Sequence, residues 1–291
     1  MRAKLCVLLS LLFPGAVACL AQNDSQVAPA TPPQIDYTSV NCSGFVTDQK
    51  VPDEIRLISG EQSNYKITFA RGDYVYINRG QDKGIQVGDR FSVVRQTKDP
   101  NVDWFKKQDS LMRAMGTHYT DAGQLRVIHV EPKTATAEVS FSCGGMLRGD
   151  VVRPFVERPV PQYKEAAVFD HFAPVSGKSV AMVVNGADYA PVFGKHSIIY
   201  VNLGGKQGVK VGDYFRIFRY QGSSSELAPQ TQGSQYMMFG YGSTPERYTW
   251  KDLPREVLGE GIVLNTNGNA STVLITFSAV PVYAGDFVEV E

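Results

Sequence analysis

The sequence has little that would place the protein in a membrane or on nucleic acid. After residues 5–13 it has no long apolar run, and a membrane-spanning helix needs about 20 such residues. It also has no basic excess, since 29 Lys and Arg residues balance 29 Asp and Glu residues. A general nucleic-acid-binding protein needs a basic surface to neutralise phosphates. We therefore expect no transmembrane span and no nucleic-acid partner.

Motifs of common enzymes and metal sites are missing as well. There is no Gly-x-Ser-x-Gly, no His-Glu-x-x-His and no Cys-x-x-Cys, and the four histidines are scattered along the chain. Residues 177–179 imitate the end of a phosphate-binding loop, but Phe172 stands where that motif needs glycine. The carboxylates suggest no acid–base pair. The sequence thus predicts a protein that is not an enzyme and that has no catalytic residue, cofactor or metal site.

The first 21 residues resemble a secretory signal peptide. Arg2 and Lys4 precede the apolar residues 5–13, and small residues follow up to Ala21. Cleavage after Ala21 is the favoured interpretation. A cut before Cys19 would instead produce a lipoprotein held to a membrane by acyl chains, although Ala16 stands where such a motif usually has leucine. We expect a periplasmic or secreted bacterial protein.

Two cysteines remain after the predicted signal peptide. In an oxidising compartment, Cys42 and Cys143 most simply form one disulfide. The alternative is two separate buried thiols. A disulfide here would close a loop of about 100 residues, which the chain-entropy model values at about 4–5 kcal/mol.

An internal repeat is the strongest pattern in the chain. Residues 74–95 match residues 198–219 at nine of 22 positions with a constant offset of 124, and three glycines and an aspartate lie in register. Residues 123–153 match residues 259–289 at an offset of 136. The larger offset indicates a longer insert in the second copy. Cys143 aligns with Ala279, so the predicted disulfide belongs to the first copy alone.

The repeats are predicted to be β-structure. Apolar residues alternate at period two, and Gly-Asp pairs precede five predicted strands as tight turns, with glycine in the left-handed conformation and aspartate capping the backbone. The fold class is all-β, with two tandem small barrel-like repeats. The predicted order is a signal peptide (1–21), a flexible linker (22–39), the first repeat (40–155), a second linker (156–173) and the second repeat (174–291).

Each repeat carries one insert. In the first, residues 102–115 are predicted to form a helix that caps the open end of the barrel, and the alternative is a helix that binds a partner. In the second, residues 221–253 form a long loop rich in glycine, serine and aromatic residues. Such loops tend to be functional, and exposed aromatic residues favour partner binding. The alternative is that these side chains fold back onto the barrel. The partner-binding residues nominated from this loop are Tyr236, Phe239, Tyr241, Tyr248 and Trp250.

The repeated pattern resembles a known bacterial family. Residues 76–91 and 200–215 share Tyr-[Ile/Val]-Asn-x-Gly-x-x-x-Gly-[Ile/Val]-x-Val-Gly-Asp-x-Phe, and each copy closes with Gly-Asp-x-Val. This is similar to the C-terminal domain of the flagellar assembly protein T family and to barrel repeats of envelope proteins that often carry a LysM module. The resemblance implies a periplasmic, non-enzymatic role in envelope assembly. We recognise no LysM segment in this sequence and expect no N-terminal ring-protein part, so the resemblance implies no particular binding residue.

We therefore expect an exported scaffold or adaptor that binds an envelope protein partner. The alternative is a glycan- or peptidoglycan-binding module, in which aromatic side chains of the 221–253 loop stack on sugars.

Overall fold

The structure is a computed structural model that describes residues 34–97, 104–105, 107–164, 168–187, 189–220 and 253–291. These residues form short helices and many strands, which confirms the predicted all-β class. The helices are α1 (Tyr37–Asn41) and α2 (Gln108–Met115). The strands of the first repeat are β1 (Phe45–Thr47), β2 (Leu57–Gly60), β3 (Thr68–Phe69), β4 (Tyr74–Ile77), β5 (Arg90–Gln96), β6 (Thr117–Val130), β7 (Ala135–Ser142), β8 (Met146–Leu147) and β9 (Val151–Pro154). Those of the second are β10 (Val180–Gly186), β11 (Val192–Phe193), β12 (Ile198–Val201), β13 (Tyr214–Tyr220), β14 (Arg255–Thr266), β15 (Ser271–Ser278), β16 (Val282–Tyr283) and β17 (Phe287–Val290).

The five Gly-Asp turns adopt the predicted conformation. All five glycines have φ between 91° and 98°, a region that L-residues with a side chain rarely enter. In each turn the aspartate side chain accepts a hydrogen bond from the backbone N–H three residues earlier, at 2.7–2.9 Å. These turns therefore set where the strands begin. The aspartates are Asp73, Asp89, Asp150, Asp213 and Asp286.

The two repeats share one strand order. The second repeat is a closed barrel in the order β10-β12-β15-β14-β13-β17, closed by the three-residue pairing of β10 with β17. The first repeat follows the equivalent order β2-β4-β7-β6-β5-β9. Its ends meet at an isolated bridge between Arg56 and Val151, flanked by backbone hydrogen bonds of Leu57 with Gly149 and Asp150, and form no regular ladder among the described residues. The first repeat is therefore a curled sheet that nearly closes.

Each barrel surrounds its own apolar core. In the first repeat the core includes Leu57, Phe69 and Val75, and in the second it includes Phe215 and Ile217. These side chains come from alternating strand positions, as expected for a pleated sheet with one buried face. Burial of these faces provides the main driving force for folding.

The insert of the first repeat packs on the second repeat. The helix predicted over residues 102–115 is shorter in the structure, because α2 begins at Gln108. Phe105, which was predicted to lie on its apolar face, precedes the helix and joins the core of the second barrel. Gln108 is buried and donates a hydrogen bond from Nε2 to the carbonyl oxygen of Val184 at 2.7 Å. Met115 packs against Val184 and Tyr200. An apolar helix face shows that the helix must be covered, but it does not show which barrel covers it.

The segments that precede each repeat hold the two barrels together. Ile35 and Val40, in and before α1, pack on the outer face of the second barrel. Arg158, from the linker after β9, anchors that linker to the first repeat through a part-buried ion pair in which its two terminal nitrogens donate to Asp121 at 2.7 and 2.8 Å. Both repeats belong to one compact unit, Pro32–Glu291. The helix α1 begins at Tyr37, so it overlaps the end of the segment predicted as a flexible linker.

Helices of the length and apolar character needed to cross a membrane are absent from the described part of the chain.

Candidate functional site

A cleft of about 560 Å³ opens on the first repeat, and we call it the first-repeat cleft. It lies where the start of β9 pairs with the end of β5 and where the segment before β2 crosses them. Its walls are residues 48–51, 53 and 56 before β2, residues 94–96 of β5, residues 117 and 119 of β6, and residues 149–151 at the start of β9. The walls therefore come from four parts of the chain that the sheet brings together.

The second repeat fills the equivalent position with aromatic rings. Phe218 faces Phe287 across the β13–β17 ladder, and Val94 faces Val151 across the β5–β9 ladder. The ring centroids of Phe218 and Phe287 are 5.8 Å apart. The strand pairing and the sequence offsets of 124 and 136 therefore match the same residues of the two repeats. The three equivalent pairs are Val94 and Phe218, Gln96 and Tyr220, and Val151 and Phe287.

The floor of the first-repeat cleft is apolar. Val51, Val94 and Val151 are buried and form one cluster with Phe45. Tyr119 stacks on Phe45, with ring centroids 5.1 Å apart and planes 11° from parallel. The floor is therefore covered by rigid side chains that offer methyl groups and a ring edge.

The rim of the cleft is charged but internally paired. Arg95 binds both carboxylate oxygens of Asp150 at 2.7 Å, and this hydrogen bonding raises the pKa of the Arg95 guanidinium although burial opposes the shift. Arg56 donates to Asp53 at 2.6 Å. Lys50 is exposed beside them. The rim thus offers guanidinium faces, while the carboxylates of these two pairs already have partners.

One edge of the cleft touches the second repeat. Asp48 accepts a hydrogen bond from Lys206 Nζ at 2.8 Å, which lowers the pKa of the Asp48 carboxyl below its ordinary value. Asn269 also lies within 3.3 Å of Asp48. The position of the cleft wall therefore depends on how the two repeats dock.

The predicted disulfide is present. Cys42 and Cys143 are bonded, with Cα atoms 5.3 Å apart. The bond joins the end of α1 to the turn after β7, on the first repeat only. It is structural and does not line the cleft.

The other nominated residues lie outside the described residues. Residues 221–252 are not described, so the structure does not place the predicted partner-binding side chains. These side chains are Tyr236, Phe239, Tyr241, Tyr248 and Trp250. Their role stays a prediction.

The described residues contain no group of three His, Cys, Asp or Glu side chains placed to hold a metal ion. His118 is buried among apolar side chains, and burial lowers its pKa to about 4. Its ring lies 5.4 Å from that of Tyr200 in an edge-on arrangement. His129 is exposed and lies 3.0 Å from Glu131.

Sequence reasoning missed the first-repeat cleft. Most mismatches between the matching blocks conserve residue type, such as Ile85 with Val209, but a few do not. Two of these mismatches, Val94 with Phe218 and Val151 with Phe287, replace an aromatic residue of the second repeat with a valine at one end of the β5–β9 ladder. A third, Gln96 with Tyr220, lies just beyond the first matching block. A clustered loss of side-chain volume at aligned strand ends is a pattern that predicts a cleft.

Comparison of the sequence with protein-family models and with curated proteins finds no match.

Proposed function

We propose that the protein is an exported, non-enzymatic scaffold or adaptor of the bacterial cell envelope. In this proposal the first-repeat cleft binds a segment of an envelope partner. The observation that carries it is the difference between the repeats: one barrel has facing phenylalanines at this position, and the other has facing valines with a cleft beside them. The disulfide is compatible with an exported protein.

The docking of the repeats supports a scaffold role. Tyr200 donates a hydrogen bond from its hydroxyl to the carbonyl oxygen of Ser43 at 3.0 Å, and Phe105 is embedded in the opposite barrel. Contacts of this kind hold the cleft at a constant position relative to the second repeat. The resemblance of residues 76–91 and 200–215 to the flagellar assembly protein T family also favours an envelope assembly role.

Photo-cross-linking in cells tests the proposal. A photoreactive amino acid at Gln96, on the exposed rim of the cleft, should capture a discrete envelope protein. The matched control places the same amino acid at Lys210, an exposed position of the second repeat. Capture at both positions alike, or at neither, would contradict the proposal.

The alternative, glycan binding, is favoured by one observation on the second repeat. Phe169 and Phe277 lie with ring centroids 5.0 Å apart, and Phe172 next to His171 is 65% exposed. Exposed rings of this kind can stack on sugars. Co-sedimentation with purified sacculi separates the two functions, because a glycan-binding module pellets with bare sacculi and a protein adaptor requires membrane proteins to be present.

A further inference from the structure

We infer that the first-repeat cleft binds the aromatic side chain of a partner polypeptide, with tyrosine as the best-fitting class. This inference rests on the proposed function, because it names the chemistry of the ligand at the same site. It is carried by the side chains that occupy the equivalent position in the second repeat.

The second repeat shows what this position of the barrel accommodates. Tyr220 lies edge-on to Phe287, with centroids 5.1 Å apart, and edge-on to Phe218 at 5.2 Å. Edge-on pairs at this distance are favourable beyond the area they bury. The first repeat keeps the same strand register but has Val94 and Val151 facing each other. Phe45 and Val51 cover part of this valine pair, and the cleft opens beside the cluster, where an external ring can pack against its edge.

Cations complete the aromatic site of the second repeat. The Arg255 guanidinium lies 4.6 Å from the centroid of Phe218, and that of Arg219 lies 5.0 Å from Tyr283. Arg95 is the counterpart of Arg219 and keeps its two-pronged carboxylate pair. Leu147 stands at the position of Tyr283, so within the described residues Arg95 has no ring over its guanidinium. A bound ring would supply that cation–π contact.

The charges of the cleft argue against a strongly ionic ligand. The wall carries three acidic side chains, Asp48, Asp53 and Asp150, and three basic ones, Lys50, Arg56 and Arg95. Each of the three carboxylates already has a cationic partner at 2.6–2.8 Å. A neutral ring that covers the valine floor and reaches the polar rim with a hydroxyl fits this arrangement without breaking an ion pair.

A ligand titration with N-acetyl-L-tyrosinamide tests the inference on the full chain. Methyl NMR should show saturable shifts at Val51 and Val151, which border the cleft, with a Kd of about 1–10 mM, as expected for a small fragment. The variant Val94→Phe/Gln96→Tyr/Val151→Phe transfers the aromatic set of the second repeat into the cleft. It should weaken binding by at least about tenfold, because the ligand site is then occupied. Because Val94 is fully buried, Val151→Phe/Gln96→Tyr serves as a second, less crowded variant.

The reciprocal variant provides the matched control. Phe218→Val/Tyr220→Gln/Phe287→Val opens the equivalent position of the second repeat and should add a second site for N-acetyl-L-tyrosinamide. Formation of the Cys42–Cys143 disulfide and a cooperative melting transition confirm folding of each variant. Equal binding by the wild type and the filled variants, or no shift in the wild type at about 20 mM ligand, would overturn the inference.

Cross-linking at Lys50 then separates the two proposals. Capture of an envelope partner that persists in the filled variants would leave the scaffold function intact and refute the aromatic ligand. Loss of capture in the filled variants would support both. Binding of N-acetyl-L-tyrosinamide by a wild type that captures no envelope partner would support the ligand chemistry and refute the scaffold function.

Discussion

The two repeats share one strand order and differ in how the ends of the sheet meet and in the side chains at those ends. Both keep the glycine-aspartate turns and the arginine–aspartate pair, Arg95 with Asp150 and Arg219 with Asp286. The second repeat closes its barrel by a three-residue ladder and fills the ladder end with rings. The first closes through a single bridge, carries a disulfide and leaves a cleft. The comparison shows that turn residues preserve a barrel while side chains at strand ends are free to diverge.

The segment before each repeat shows a related difference. Tyr37 covers Phe141 in the first repeat and Phe169 covers Phe277 in the second, with centroids 5.2 and 5.0 Å apart. Only the first segment is tied covalently to its barrel, through Cys42. The disulfide holds the end of this segment beside a barrel that hydrogen bonds close over a shorter stretch.

Among the changes that distinguish the two repeats, removal of the disulfide should cause the largest loss of stability. Cys42→Ser/Cys143→Ser opens a loop with a sequence separation of 101 and should lower the free energy of unfolding by about 4 kcal/mol. Urea unfolding followed by circular dichroism measures the loss. Reducing agent should destabilise the wild type by a similar amount and leave the variant unchanged. A variant as stable as the oxidised wild type would show that the bond is dispensable for the first repeat.

Low pH should cause the next largest loss of stability, through protonation of His118. Neither ring nitrogen has a hydrogen-bond partner among the described residues, and burial lowers its pKa to about 4. The unfolded chain therefore binds the extra proton between pH about 6.5 and 4, so stability falls as pH falls through that window, by about 3 kcal/mol. His118→Phe should flatten this dependence in denaturant titrations. His129→Phe, on the same strand but exposed, should leave it intact, and equal slopes in all three proteins would refute the assignment.

The paired aspartates offer a direct test of equivalence between the repeats. Asp150→Asn and Asp286→Asn each remove the buried carboxylate that pairs with a partly exposed arginine, and each should lower stability by about 1.5–3 kcal/mol. The two side chains are equally buried, at 3% exposure each. Thermal unfolding of both variants measures the losses. A much larger loss for Asp150→Asn would show that the single-bridge closure of the first repeat depends more on its ion pair.

Substitutions in the glycine-aspartate turns should cause the smallest losses of stability, and the losses should be equal in the two repeats. Gly88→Ala and Gly212→Ala place a side chain at φ of 96° and 93°, which costs about 1 kcal/mol in each repeat. No atom lies within 4 Å of the added Cβ at Gly88, and only Pro161 lies near it at Gly212, at 3.9 Å. The loss should therefore be conformational. Unequal losses in urea unfolding would show that the turns are not equivalent.

The repeat, the all-β class, the tight turns and the disulfide were predictable from sequence because each depends on local or countable features. A glycine that needs positive φ, an alternating strand or a single remaining cysteine pair leaves its pattern in a few residues. The insert helix was predictable for the same reason, since the apolar face of Leu111, Met112 and Met115 is continuous.

The sequence by itself therefore determined the elements and their duplication, and the tertiary structure decided their relations. Phe105 is buried in the barrel of the other repeat, and no local pattern indicates a contact made across the chain. The first-repeat cleft exists because Val94 and Val151 meet across a ladder, 57 positions apart in sequence. The cleft lies between residues that are far apart in sequence, so it forms only when the curled sheet brings them together.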